Sequence, residues 1–174
     1  WRHAEPLVAS GRRHCRHNRI AARVTTYALD LADAAATDAA GRALAPLLQP
    51  GDVIALSGDL GAGKTSLARG LLAALGLTEE APSPSYAIVI PYDPPQVRLP
   101  VWHVDLYRLD DPEEAMELGL DDALLDGVLL IEWPERLGWL WPDALRLHIN
   151  VPADGPRRLT ATVPPSWKDR WPFP

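Results

Sequence analysis

Cysteine is almost missing from this chain of 174 residues: Cys15 stands alone, which excludes an intrachain disulfide and a cysteine-based zinc site. Lysine is nearly as scarce, confined to Lys64 and Lys168, and arginine carries the rest of the positive charge. No uncharged apolar run approaches the roughly 18 residues of a membrane-spanning helix. The Arg- and His-bearing start lacks the continuous apolar core of a signal peptide. Basic residues are also short overall, 17 Lys+Arg against 23 Asp+Glu. The formal charge of -6 argues against a general polyanion binder, DNA included, because phosphate backbones demand a positive surface. It leaves room for a local basic site. The sequence has no internal repeat.

What is present is 47% hydrophobic beside 23% charged residues, the balance of a soluble globular protein, at a length suited to one ordinary domain with a core. The charge is divided along the chain. Residues 1–26 hold Arg2, Arg12, Arg13, Arg16, Arg19 and Arg23 against Glu5, a net +5, so the remainder carries −11. The segment 1–23 has no helical or strand period and reads as a disordered extension, or as sequence upstream of the true start. A basic arm for RNA or an acidic partner is the alternative. His3, His14 and His17 fall in it without metal-ligand spacing and read as solvated.

From residue 24 the pattern becomes regular, and 24–163 reads as the domain proper. VTTYAL (24–29) is a strand, and an alanine-rich helix is expected from Asp38 to Leu48, with Thr37 as N-cap. DVIALSG (52–58) is a short apolar strand, and GKTSLARGLLAALG carries a helical period closed by Gly76. A Pro/Ser-rich loop (81–85) leads to strands at 86–92 and 99–107, then to an acidic segment. GVLLIEW (127–133) is a buried strand, and WPERLGWL opens a short helix. Residues 144–151 and 158–163 alternate like exposed edge strands. Residues 164–174 are proline-rich and read as a loosely attached tail, although Trp167 and Trp171 could pack back on the body. The expected fold is a three-layer α/β/α domain with a mixed parallel/antiparallel sheet.

The strongest motif is GDLGAGKT, Gly58 to Thr65, which fits G-x-x-x-x-G-K-[ST] between an apolar strand and an amphipathic helix. Gly61 and Gly63 let backbone N–H groups turn inward around phosphate oxygens, and the helix presents its positive N-terminus to the same anion. The loop residues Asp59, Leu60, Gly61, Ala62, Gly63, Lys64, Thr65 and Ser66 are therefore the expected nucleotide cradle. Lys64 is placed to reach the β- and γ-phosphates, and Thr65 to offer its hydroxyl to Mg²⁺. Such a site needs acids. Asp105 and Glu132 each close an apolar strand, where ligands of open α/β sheets gather. One is expected to serve the metal, directly or through water, and the other to orient the attacking water; spacing alone does not assign them. An Asn-Lys-x-Asp guanine-reading element is absent, as is an ABC-type Ser-Gly-Gly-Gln signature, so ATP is the expected nucleotide.

Taken as an ordered set, GDLGAGKTSLARGLLAALG, SPSY (83–86), HVDLYRL (103–109), ELGLDD (117–122) and IEWPERL (131–137) resemble the TsaE family over about residues 24–163. These are bacterial P-loop ATPases of the tRNA threonylcarbamoyladenosine pathway. The resemblance implies a cytoplasmic ATPase that works with TsaB and TsaD, reaches tRNA through them, and uses ATP and Mg²⁺. By position it implies Thr65 and Glu132 as Mg²⁺ ligands and Asp105 as the acid of a Walker B-like strand. Trp133 is then the aromatic of a Glu-Trp-Pro element. Thr37 corresponds to a threonine that approaches the nucleotide, and Arg157 or Arg158 to a late basic residue near it. Ser83, Ser85 and Tyr86 would form a switch-like loop, with Ser85 where the family more often has threonine. A small-molecule kinase and a nucleotide-gated binding module are the competing readings. His103, on the face of Asp105, reads as a supporting or packing residue, and Trp102, Trp139 and Trp141 as core or interface. The acids between Asp105 and Asp126 read as a solvated face, or as a docking surface for a basic patch on TsaB–TsaD.

Overall fold

The computed structural model describes residues 24–174; the basic segment and its histidines lie outside the described residues. Seven strands form one sheet: β1 (Thr25–Leu31), β2 (Val53–Ser57), β3 (Val89–Tyr92), β4 (Val101–Asp105), β5 (Val128–Glu132), β6 (Leu145–Asn150) and β7 (Arg157–Val163). Their spatial order is β1-β7-β6-β2-β5-β4-β3. The centre is parallel, with β2 between β5 and β6, and β4 beside β5. Antiparallel pairs close both sides: β3 on β4, and β7 between β6 and β1. The sheet is mixed, as expected.

Helices cover both faces. On one, α1 (Ala34–Leu44) and α2 (Lys64–Ala74) pack Leu44, Leu67, Leu71 and Leu72 against Ile54, Leu56, Leu130 and Leu147. On the other, the short α3 (Pro112–Glu117) and α4 (Leu120–Ala123) bring Ala115, Leu120 and Ala123 to Val53, Val104, Leu129 and Ile131. The central strand β5 is buried throughout, which is why it reads as a continuous apolar run. Each fully buried leucine contributes about 2 kcal/mol through area removed from water. The two long helices cross at glycines. A Cβ on Gly41 would lie 2.0 Å from the Leu67 carbonyl oxygen, and one on Gly70 2.1 Å from that of Asp38. Only a bare backbone permits this approach.

Several sequence expectations need correction. The first helix begins four residues before Asp38, because Asp33 caps it by accepting the Ala36 N–H at 2.8 Å. The aspartate cap and three alanines outcompete Thr37, which lies inside the helix and donates its hydroxyl to the Asp33 carbonyl at 3.0 Å. The α-helix also ends earlier, giving way to a 3-10 turn at Ala45–Leu47 that contains Pro46. Strands β6 and β7 are interior, not edges; they alternate because their second face lacks a helix. The edges are β1 and β3. Strand β3 starts at Val89 rather than residue 86, after Ile88 at φ 64°. WPERLGWL holds a 3-10 turn, Pro134–Leu137, rather than an α-helix.

The C-terminal residues pack on the body. Trp167 is fully buried, and Trp171 stacks on Tyr27 with ring centroids 5.5 Å apart. Arg170 forks onto Asp52, donating from Nη1 to Oδ2 at 2.8 Å and from Nη2 to Oδ1 at 2.9 Å. Bidentate charge-assisted pairs of this kind are among the stronger hydrogen bonds.

Candidate nucleotide site

Strand β2 ends at Ser57, the chain loops through Gly58–Gly63, and α2 begins at Lys64. Gly63 adopts φ 115° at the helix N-cap, a conformation that L side chains rarely take. A Cβ there would also come within 3.2 Å of Thr37 Cγ2. Gly61, Gly63 and the first residues of α2, Lys64, Thr65 and Ser66, line one cavity, the placement anion binding requires. Lys64 is buried at this corner, 4% exposed. Its Nζ donates to the carbonyls of Gly58 at 2.7 Å and Asp59 at 2.9 Å, and sits 4.0 Å from the centroid of the Trp133 ring. Burial lowers its pKa from the usual lysine value, opposed by the negative charges of Glu132, Glu135, Asp105 and Asp59.

The parallel register of β4 and β5 sets Asp105 directly beside Glu132. Both are buried. Glu132 Oε2 accepts the Thr65 hydroxyl at 3.0 Å, and Oε1 is 2.9 Å from His103 Nε2. Asp105 Oδ2 accepts the Ser85 hydroxyl at 2.7 Å, while Oδ1 accepts the Tyr107 N–H at 2.9 Å. Ser83 lies 2.7 Å from Ser85, so the two hydroxyls and Asp105 form a chain. Beyond Glu132 the backbone turns left-handed at Trp133, φ 60°. Such a conformation costs a bulky residue on the order of 1–3 kcal/mol. It brings the indole over Lys64 and beside Tyr107, ring centroids 4.9 Å apart.

These groups line a cavity of about 220 Å³ whose walls include Leu60, Gly61, Gly63, Lys64, Thr65, Ser66, Ser83, Ser85, Asp105, Glu132, Trp133 and Arg157. Tyr107 also lines it and was missed; its place in HVDLYRL, two residues past Asp105, was the available signal. Arg157 Nη1 reaches Thr37 Oγ1 at 3.5 Å, so Thr37, fully buried, supports the wall from behind. Arg158 lies on the opposite sheet face, with Asp30, Asn150 and Asp154, and does not line the cavity. Asp59 and Ala62 belong to the loop without lining the cavity. Tyr86 is exposed, its ring 4.3 Å from the Arg108 guanidinium. Trp102, Trp139 and Trp141 do not line the cavity either.

The residues fit a nucleotide phosphate and a hard cation. A Cβ on Gly61, at φ 78°, would meet nothing within 4 Å, so the space beside the loop is open there. Thr65, Glu132 and Asp105 offer oxygen donors alone, the set suited to Mg²⁺. Among the described residues no group of three or more His, Cys, Asp or Glu could hold a metal by itself. Mg²⁺ usually keeps several waters and takes phosphate oxygens beside one or two carboxylates, which Glu132 and Asp105 would supply.

A strand, a glycine loop and a helix with this lysine, at the carboxyl edge of a mixed α/β sheet, define a P-loop NTPase-like protein. The family model described as threonylcarbamoyl adenosine biosynthesis protein TsaE matches residues 31–159, and the chain belongs to that family. A Streptomyces coelicolor protein named tRNA threonylcarbamoyladenosine biosynthesis protein TsaE is 43% identical over 128 residues, covering 70% of this chain and 86% of its own. The Bacillus subtilis protein of that name is 38% identical over 129 residues, 73% and 79% of the two chains. The crystal structure of Bacillus subtilis YdiB superposes with a TM-score of 0.70 at 30% identity, covering 85% of this chain and 92% of that one. Among the described residues no helix is long and apolar enough to cross a membrane.

Proposed function

We propose that this chain is a Mg²⁺-dependent ATPase of the cytoplasmic machinery that forms N6-threonylcarbamoyladenosine at position 37 of tRNAs reading codons that begin with A. It would act with TsaB and TsaD, and reach tRNA through them. The observation that carries the reading is the convergence of Lys64, Thr65 and Glu132 at the glycine loop, in a chain of the TsaE family.

Each residue then has a task. The N–H groups of Gly61–Thr65 cradle the phosphates. Lys64 exchanges its bonds to the Gly58 and Asp59 carbonyls for phosphate oxygens, and its charge stabilises the transferring phosphoryl group. Thr65 and Glu132 would hold Mg²⁺, which would supply further positive charge to the phosphate oxygens. Asp105, oriented by Ser85 and the Tyr107 N–H, positions the water that bonds to the γ-phosphorus as the bond to the ADP oxygen breaks. The chain Ser83–Ser85–Asp105 couples the switch-like loop to that water. Arg157 supports the bound nucleotide at the Gly63 wall.

The test is ATP hydrolysis with and without purified TsaB and TsaD. Partner-stimulated turnover is expected, with Lys64→Ala and Glu132→Ala reduced by about 10²-fold or more. Normal hydrolysis by both variants would overturn the site, and phosphate transfer to a metabolite would replace the ATPase with a kinase. Partner binding gated by ATP but indifferent to Glu132→Gln would make the chain a binding module.

A further inference from the structure

Glu132 has two oxygens and uses them differently: Oε2 faces Thr65, while Oε1 meets His103 behind the cavity. His103 is 0% exposed, on β4 two residues before Asp105, flanked in register by Ile90 of β3 and Leu130 of β5. Its Nδ1 is buried without a hydrogen-bond partner. These surroundings favour the Nε2–H tautomer. With the proton on Nε2, the ring donates to Glu132 and leaves only a lone pair unmatched; the other tautomer would bury an orphan N–H and set a lone pair against a carboxylate. An imidazole with one unmatched nitrogen is a poorer filling for an apolar slot than leucine. The bond to Glu132 is the feature that distinguishes it.

What the bond prevents is visible on the other side of the site. The charge of Glu132 is the strongest attraction felt by the Lys64 ammonium. Yet among the described residues the ion pairs within 4.0 Å include His103–Glu132 and none to Lys64. A glutamate free to turn about its side-chain torsions would close on the lysine, removing one group from the phosphates and the other from the cation. We propose that His103 is a positioning residue: its Nε2–H holds Glu132 Oε1, so that Oε2 stays at Thr65 and Lys64 stays free for phosphate. The inference rests on the nucleotide and Mg²⁺ reading above.

The test measures the Mg²⁺ dependence of ADP affinity, by calorimetry on the full chain, with ATP turnover as a second readout. His103→Leu should raise the half-saturating Mg²⁺ concentration about 10-fold, the lower range for lost support of a metal ligand. ADP affinity without Mg²⁺ should fall several-fold as well, because the released Glu132 then competes with phosphate for Lys64. Gln places its amide nitrogen near Nε2 and should recover most of the response, whereas Asn should not; that pair decides the matter if the leucine variant does not fold. In a Glu132→Gln background, His103→Leu should add nothing further. An unchanged Mg²⁺ requirement, an undiminished further loss in that background, or equal behaviour of Gln and Asn overturns the proposal. Wild-type protein that binds no nucleotide would sink the proposed function instead.

Discussion

The Lys64 ammonium shares a buried corner with two loop carbonyls, an indole face and two carboxylates, and its lowered pKa follows from that burial. An unfolded lysine keeps its proton to about 10.5, whereas the folded one releases it earlier. Between those values the unfolded chain binds more protons, so stability rises with pH. Phosphate binding needs the charged form, so nucleotide affinity falls across the same window. Melting temperatures with and without ADP, from about pH 8 to 10.5, should therefore converge. Tyr92 acts oppositely: burial raises its pKa above 10.0, so its ionisation penalises the fold as pH climbs past that value. A Tyr92→Phe background isolates the lysine. A constant ADP-induced shift across the range would refute the Lys64 argument. At this scale Lys64, Thr65, Asp105 and Glu132 were legible, because a phosphate loop is a local spacing and strand-end acids announce themselves. The His103–Glu132 bond was not, since it depends on the register of β4 against β5. Nor was the left-handed Trp133, for which a tryptophan before proline gives no signal.

At the scale of elements, the crossing of α1 on α2 holds Thr37 beside Gly63. Gly70→Ala would force the Asp38 backbone away and should destabilise the fold by about 1–3 kcal/mol, the ordinary range for overpacking. For a domain of this size that is a fall of roughly 3–10 °C in Tm. Nucleotide affinity should fall with it, since Arg157 and Thr37 would leave the Gly63 wall; a melt beside an ADP titration checks both. Loss of stability with unchanged affinity would separate the helix contact from the site. The helices and strands were mostly legible from period and length. Their frames were less so. Thr37 is a sound N-cap in isolation, and loses to Asp33 because the alanines between them also favour helix. Alternation in β6 and β7 was real, but it reports a face without a helix, and says nothing of whether neighbours lie on both sides.

Across the whole molecule the sheet is covered unequally. Helices α1 and α2 bury one face, whereas α3 and α4 cover only part of the other and carry Glu113, Glu114, Asp121 and Asp122 in their first turns. Sheet architecture and acidic character were legible from the chain, but the fate of 164–174 needed three dimensions. Arg170 joins that segment to Asp52, at the entry of β2, which ends in the phosphate loop. Both partners are mostly buried. Arg170→Ala should cost about 2 kcal/mol by leaving the Asp52 carboxylate with the Gln49 N–H but no cation, with ADP affinity unchanged because the pair lies away from the cavity. Chemical denaturation of the variant tests this, and an unchanged midpoint would show the segment to be loosely held.

The edge position of β1 has a consequence for how the protein is made. Among the described residues Thr25–Leu31 pairs only with β7, Thr25 opposite Val163 and Leu31 opposite Arg157. On a ribosome β1 therefore emerges before β7, its partner in the sheet, and on the order of ten seconds pass before β7 follows, at typical synthesis rates. Tyr27 and Leu29 must wait uncovered during that time. Between them and beside them stand Thr26, Ala28 and Asp30, short or charged side chains that make this strand a poor template for a passing neighbour.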